Sequence, residues 1–176
     1  MTTTFKFPHP VESDCVPYYF RYINKVPEGD IITQLEAQLK SCGDFISGLT
    51  PAQLQFSYAP GKWTLAEMIG HILDTERVFA YRLMCISRGE TKSLPGFEQD
   101  DYVANSIYNQ VPGSDLAAEW SGLRDATIWL CKNMTHEMAI RMGTANDKPV
   151  RASAYPYIMV GHVIHHMEVA AEKYLH

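Results

Sequence analysis

Apolar residues recur at alternating intervals of three and four along four segments of the chain, which is the spacing of amphipathic α-helices. No segment shows a strand pattern of comparable strength. The pattern therefore predicts an all-α protein, a four-helix bundle. The four helices are expected over about residues 30–48, 64–89, 114–134 and 153–175.

The second helix has the clearest start. Thr64 suits the N-cap position, and Glu67 follows three residues later, which is the pattern of a capping box. Trp63 and Met68 flank the cap and can form a hydrophobic staple. A similar box at Thr50 predicts a short helical turn before it.

The segments outside the helices differ in character. Residues 1–27 contain four prolines and several aromatic residues, which predicts an N-terminal arm packed on the bundle within a single domain of residues 1–176. Residues 89–113 form a connection long enough for a crossover between helices. Connections of this length in a compact helical domain are often functional. After the third helix, a polar loop is expected to hold only a little extended structure, around Val150 and Arg151.

Three of the seven histidines lie within five residues of the fourth helix, between Gly161 and Glu168. His162 and His166 are four residues apart, so they share one helix face and can bind one metal ion. Both project into the apolar arc of the helix. His165 competes as the partner of His162, but it falls at the edge of that arc and is expected to face an interface, the arm or solvent.

A third ligand has to come from another helix. His71 lies on the flank of the apolar stripe of the second helix and supplies it if the two helices pack side by side. Alone, such a histidine is more often a hydrogen-bonded core residue than a ligand. Three imidazoles would leave a coordination position open, as in catalytic rather than structural zinc sites. Nitrogen ligation suits zinc, nickel, copper or iron. His9, His136 and His176 lie in loops or at the terminus and are not expected to join the site.

Several residues near these histidines have two interpretations each. Asp74 and Glu76 can orient a ligand histidine or be ordinary surface acids. Arg77 and Arg82 can pair with these acids or bind an anionic substrate. A further set can line a pocket or belong to the plain core: Trp63, Phe97 and Tyr102.

Composition narrows the function classes. The net charge of -5 and the pI near 5.8 argue against a general nucleic-acid-binding protein. The sequence has neither a transmembrane run nor a signal-peptide core, and its four cysteines form no CxxC pair, so buried reduced thiols in a cytoplasmic protein are expected. Motifs of serine hydrolases, P-loop proteins, dinucleotide-binding proteins and HExxH metalloproteases are missing, which leaves metal-centred chemistry as the main option.

Four stretches together resemble the DinB/YfiT-like family of metal-binding helical proteins. They are spread over nearly the whole chain and are residues 22–31, 61–82, 94–102 and 161–166. The resemblance implies a four-helix bundle with up-down-down-up connectivity, and a zinc or nickel ion held by His71, His162 and His166. It also implies a homodimer. Members of the family include S-transferases that use low-molecular-weight thiols, a maleylpyruvate isomerase, and proteins assigned as metal-dependent hydrolases.

These features lead to one main hypothesis and three alternatives. The main hypothesis is a metal-dependent enzyme that transfers a low-molecular-weight thiol to an electrophilic small molecule. The alternatives are a metal-dependent hydrolase of a small substrate, a non-catalytic stress protein that binds a metal or ligand, and a bundle with a purely structural role. The sequence assigns no catalytic residue beyond the metal ligands.

Overall fold

Four long α-helices dominate the computed structural model, which describes residues 5–175. They are α2 (Ile31–Ser47), α4 (Leu65–Ser87), α6 (Gly113–Lys132) and α8 (Ala154–Lys173). Shorter helices are α1 (Phe20–Ile23), α3 (Pro51–Gln55), α5 (Gln99–Ala104) and α7 (His136–Ala139). The predicted four-helix bundle is confirmed, and each predicted end lies within about two residues of the observed one. Within residues 5–175, no helix is both long and apolar enough to cross a lipid bilayer.

Side-chain caps set where the helices begin. The Asp30 carboxylate accepts a hydrogen bond from the backbone N–H of Thr33 at the start of α2. At the start of α4, Thr64 Oγ1 accepts from the Glu67 N–H at 3.2 Å, and Glu67 Oε2 accepts from the Thr64 N–H at 2.8 Å. Both orphan donors are thus satisfied, as expected of a capping box. This start places His71 about two turns into the helix.

The four long helices form a square in which α2 and α4 each pack against both α6 and α8. In the antiparallel pairs, contacts join the start of one helix to the end of the other: Glu36–Lys132 and Ile46–Gly113 between α2 and α6, Trp63–Tyr174 and Phe79–Tyr155 between α4 and α8. The helices α2 and α8 run parallel, since Ile31 and Ile158 near their starts lie in one core cluster, and Ile46 and Ala170 near their ends lie in the other. The connectivity is therefore up-down-down-up, as predicted.

The N-terminal segment packs against α8 through α1. Ile23 is fully buried, and the Tyr157 hydroxyl of α8 donates to the Phe7 carbonyl at 3.2 Å. The closest approach is at Gly161, where a Cβ atom would overlap the carbonyl of Tyr22. Glycine is thus required beside His162. The first four residues of the predicted arm lie outside the described part of the chain.

A short β-hairpin replaces most of the predicted polar loop. Its strands are β1 (Met142–Ala145) and β2 (Lys148–Arg151), joined by Asn146 and Asp147, which both have positive φ as a type I′ turn requires. Leu94 of the long connection donates to the Thr144 carbonyl and accepts from the Asn146 N–H, each at 2.9 Å. The predicted extended structure around Val150 and Arg151 is present as β2, but it is only half of the hairpin, because β1 pairs with it across the two-residue turn.

A buried polar network joins the four long helices at mid-height. Arg124 of α6 contacts Glu76 of α4 through two nitrogen–oxygen pairs of 3.0 Å, and both side chains are almost fully buried. Arg124 also donates to Gln38 of α2, which bonds to α8 through the Val160 carbonyl. The two interpretations of Glu76 as a ligand-orienting group or a surface acid were both wrong. Its partner Arg124 lies on another helix and could not be located from the sequence.

Removing one partner of this ion pair should be costly. We expect Arg124→Met to lower the free energy of unfolding by about 3–5 kcal/mol, because Glu76 would remain buried without its counter-charge. The exposed pair Lys40–Asp44 offers a matched control, where Lys40→Met should cost less than about 1 kcal/mol. Urea denaturation measures both values. The double variant Arg124→Met with Glu76→Met should recover part of the loss, and equal losses in Arg124→Met and Lys40→Met would contradict the importance of the network.

Candidate metal centre

Three histidine side chains from two antiparallel helices converge inside the bundle. The Nε2 atom of His162 lies 3.1 Å from that of His71 and 3.0 Å from that of His166. One ring nitrogen from each lies within 4.8 Å of the others. The structure therefore brings together the three histidines that the sequence singled out, because α4 packs side by side with α8.

The spacing fits a single metal ion. Zinc–nitrogen bonds of about 2.0–2.1 Å in tetrahedral geometry put neighbouring ligand atoms about 3.3 Å apart. The two measured Nε2 separations are close to this value. A neutral imidazole carries one N–H, so three converging nitrogens cannot all be paired well with one another. A cation among them would satisfy all three.

Burial keeps the histidines in the form that binds metals. It lowers the pKa of His71 to about 4, and together with the charges of His71, His165 and Arg21 it lowers the pKa of His166 to about 3. The pKa of His162 lies well below its ordinary value, first because of burial and then because of the other histidines and Arg124. The imidazoles are thus unprotonated near neutral pH, as metal ligation requires.

Neighbouring side chains hold two of the rings in place. The Thr75 hydroxyl lies 3.5 Å from Nδ1 of His71, on the side away from the cluster. The Trp63 ring packs against His71 with centroids 5.0 Å apart, and Tyr22 packs edge-on against His162 at 5.3 Å. Thr75 had no distinctive signal in the sequence beyond its position one turn after His71.

His165 does not join the cluster. Its ring packs against Tyr22 of the N-terminal segment, with centroids 5.6 Å apart, and it lines a neighbouring cavity. His9 packs against Tyr157 and His136 against Phe5, so both lie at the N-terminal segment. His176 lies outside the described residues.

Two cavities open beside the histidine cluster. The first, of about 540 Å³, includes Trp63, His165 and His166 in its wall. The second, of about 330 Å³, includes His71 and His162. Gln99 and Asp100 from the first turn of α5 line both cavities, so the long connection lies over the cluster and separates them.

The remaining candidate residues fall in different places. Asp74 accepts a hydrogen bond from Tyr108 at 2.8 Å and one from Arg77, so its partners are not the ligand histidines. Arg82 is buried in the wall of the second cavity, and Phe97 lines the same wall. Tyr102 is half exposed and packs against Phe97, outside the residues that line these two cavities.

The sequence missed the contribution of the N-terminal segment to the site. Tyr18, Tyr19 and Tyr22 line the second cavity together with the histidines. Their only signal was a cluster of aromatic residues in a proline-rich segment, which predicted packing but no particular neighbour.

Comparisons with known proteins agree with this fold. A solved structure of YfiT from Bacillus subtilis, described as a probable metal-dependent hydrolase with an unusual four-helix bundle topology, superimposes with a TM-score of 0.69. The match covers 95% of this chain and 93% of YfiT, with 18% sequence identity, and so establishes the likeness of fold.

A relative from Oceanobacillus iheyensis carries the provisional name of a metal-dependent hydrolase. It is 22% identical over 111 residues, which are 60% of this chain and 61% of the relative, so the match spans about three-fifths of that protein. The family model of the DinB superfamily matches residues 34–170, which include all three histidines and most of the bundle. The chain therefore belongs to the DinB superfamily.

Proposed function

We propose that this protein is a metal-dependent enzyme acting on small molecules, with one divalent ion held by His71, His162 and His166. The observation that carries the proposal is the convergence of three histidines at the edge of two cavities: Nε2 of the buried His162 lies about 3 Å from Nε2 of His71 and of the half-buried His166. A purely structural site would normally supply a fourth protein ligand. Zinc and nickel both suit three imidazole ligands.

The chain's own residues supply the position and the surroundings of the ion. The three histidines would hold it, Thr75 and Trp63 keep the His71 ring oriented, and the aromatic walls limit access of water. When bound, the ion supplies Lewis-acid chemistry, which favours the deprotonated form of a thiol or a water molecule near neutral pH. Arg77 is occupied by Asp74 and Glu119 on the surface and is therefore no candidate for substrate binding.

Transfer of a low-molecular-weight thiol is the reaction we favour. Two cavities meet at one cluster, which suits a reaction with two substrates, a thiol and an electrophile. The protein offers no thiol of its own there, since the four cysteines do not line either cavity. Burial also raises the pKa of Cys42 and Cys131 to about 12, which keeps both protonated and unreactive.

Hydrolysis of a small substrate is the second candidate. It is supported by the descriptions of YfiT and of the Oceanobacillus relative. The same three histidines and either cavity would serve for hydrolysis, with water in place of the thiol.

A stress protein that binds the ion or a ligand without turnover is the third candidate. Pairing of two copies, implied by the family resemblance, stays a prediction.

The ligand set can be tested directly. We expect His71→Ala, His162→Ala and His166→Ala each to lower zinc affinity by more than about 100-fold. Removing a side chain that only orients a ligand already lowers metal affinity by about 10–100-fold, and removing the ligand itself should cost more. His165→Ala is the matched control and should bind zinc as wild type does. Calorimetric titration of metal-free protein measures the affinities. Loss of binding in His165→Ala, with His166→Ala unaffected, would show that the opposite face of α8 holds the ion.

The buried histidines also predict a pH dependence of stability in the metal-free protein. Below their ordinary pKa of 6.5, these histidines take up protons when unfolded but not when folded, since burial lowers the folded pKa of His71 to about 4. Stability should therefore fall as the pH drops from 7 to 5, by about 2 kcal/mol for His71. Urea denaturation at both pH values should show a smaller loss for His71→Gln. The exposed His136→Gln serves as control, and an equal loss in all three proteins would contradict the assignment.

An activity assay separates the candidate reactions. Zinc- or nickel-loaded protein is mixed with bacillithiol, mycothiol or glutathione and a bimane electrophile, and in parallel with a panel of small esters and amides. We expect conjugation more than about tenfold above that of metal-free protein, and its loss in His162→Ala. Hydrolysis without conjugation would favour the second candidate. Metal binding with neither reaction would favour the third.

A further inference from the structure

Arg82 is a buried arginine that forms no ion pair with any residue that the structure describes. Its side chain is 3% exposed, yet no carboxylate of residues 5–175 lies within 4.0 Å of its nitrogens. One guanidinium nitrogen donates to the Pro95 carbonyl at 2.6 Å, and Nε has no partner in the described part of the chain. Burial of an unpaired cation is costly unless something else compensates it.

Arg124 is a buried arginine with a structural role, and its contacts can be compared with those of Arg82. It is fully buried, contacts Glu76 through two nitrogen–oxygen pairs and donates to Gln38. Nε of Arg124, like that of Arg82, makes no well-aligned hydrogen bond within the described residues, but the Glu76 carboxylate lies 3.0 Å from the Arg124 guanidinium and matches its charge. Arg82 lies on the helix that carries Glu76, about two turns further along, and has no such acid among residues 5–175. The difference indicates that the counter-charge of Arg82 comes from outside the chain.

The surroundings of Arg82 are polar and only partly satisfied. The Tyr155 hydroxyl is buried without a hydrogen-bond partner among the described residues. Burial raises the pKa of Tyr155 and of Tyr19, and the nearby charge of Arg82 opposes both rises. Two neutral phenols therefore lie close to the guanidinium. Both can donate hydrogen bonds to an anion.

This guanidinium lines the same cavity as the metal-ligand histidines. Arg82, His71 and His162 share a space of about 330 Å³ that is also walled by aromatic side chains of the N-terminal segment. Glu98 and Asp100 line it as well, but both are exposed at its mouth. The volume suits a small organic molecule, and the cationic and aromatic walls suit one with a planar acidic group.

We propose that the cavity between the histidine cluster and Arg82 binds a small organic carboxylate, with the carboxylate group held by Arg82. The proposal deepens the proposed function, on which it rests for the ion at the other side of the cavity, by assigning the charge of the substrate. The carboxylate supplies the missing counter-charge of Arg82. The rest of the molecule then extends past Phe79 and Phe97 toward His71 and His162.

Benzoate and its neutral analogue benzamide test the assignment, because they share size and shape and differ in charge. Binding to zinc-loaded and to metal-free wild type is measured by calorimetry, and zinc content is determined separately. We expect benzoate to bind at least about tenfold more tightly than benzamide, the effect of one hydrogen bond to a charged group. The preference should persist in the metal-free protein, where a contribution from zinc is absent.

Three variants test whether Arg82 causes the preference for benzoate over benzamide. Arg82→Gln should bring the benzoate-to-benzamide ratio close to one while zinc content stays at the wild-type level. Arg82→Lys keeps the charge and should retain part of the ratio. Arg77→Gln removes an exposed arginine of the same helix and should leave the ratio unchanged. An unchanged ratio in Arg82→Gln would overturn the proposal, and so would the lack of a preference in metal-free wild type, which decides the matter if Arg82→Gln does not fold.

The two proposals can fail separately. A protein that takes up no zinc but still prefers benzoate when metal-free would refute the metal-dependent function and support the carboxylate site. A protein that takes up zinc and catalyses conjugation or hydrolysis, but does not distinguish benzoate from benzamide, would support the function and overturn the carboxylate site.

Discussion

The ion pair between Glu76 and Arg124 is the contact on which the geometry of this bundle depends. Through Gln38 it joins all four long helices at one level, close to the histidine cluster. Val160, which accepts from Gln38, is only two residues from His162. Because an ion pair of this kind is costly to break, α4 and α8 are kept at the distance at which their histidines meet. Arg124 also contributes to lowering the pKa of His162.

The histidine cluster lowers the folding stability of the metal-free protein. Three imidazoles, two of them buried and that of His166 half-buried, lie with their Nε2 atoms facing one another, and desolvation lowers the pKa of each. Nothing in such an arrangement favours folding of the metal-free chain, since buried polar atoms that are imperfectly paired cost free energy. Local unfavourable arrangements of this kind persist where a ligand compensates them. Arg82, which is buried on the far side of the same cavity and has no paired carboxylate among residues 5–175, is a second example.

The walls of the site come from the irregular parts of the chain. The long helices supply the histidines, but the first turn of α5 completes both cavities, and the aromatic side chains of residues 18–22 line the second one. Close backbone contacts hold both segments against the rest of the protein. Gly161 lets the Tyr22 carbonyl approach α8, and Leu94 ties the long connection to the hairpin. The rigid bundle thus sets the ligand positions, and the connecting segments set the shape and charge that a substrate encounters.

Much of this arrangement was determined by the sequence alone, because its signals are local. Spacings of three and four residues predicted the long helices, the Thr64–Glu67 box predicted where α4 begins, and the spacing of His162 and His166 predicted that they share a face. The family resemblance supplied the up-down-down-up connectivity. Other features depend on contacts between residues far apart in the chain, and these only the tertiary structure decided. They include the pairing of Glu76 with Arg124, the contact of Leu94 with the hairpin, and the position of Arg82 beside the histidines with no paired carboxylate among residues 5–175. Periodicity shows which face of a helix is buried, but the identity of a buried charge's partner, or the lack of one, is set by the packing of separate helices.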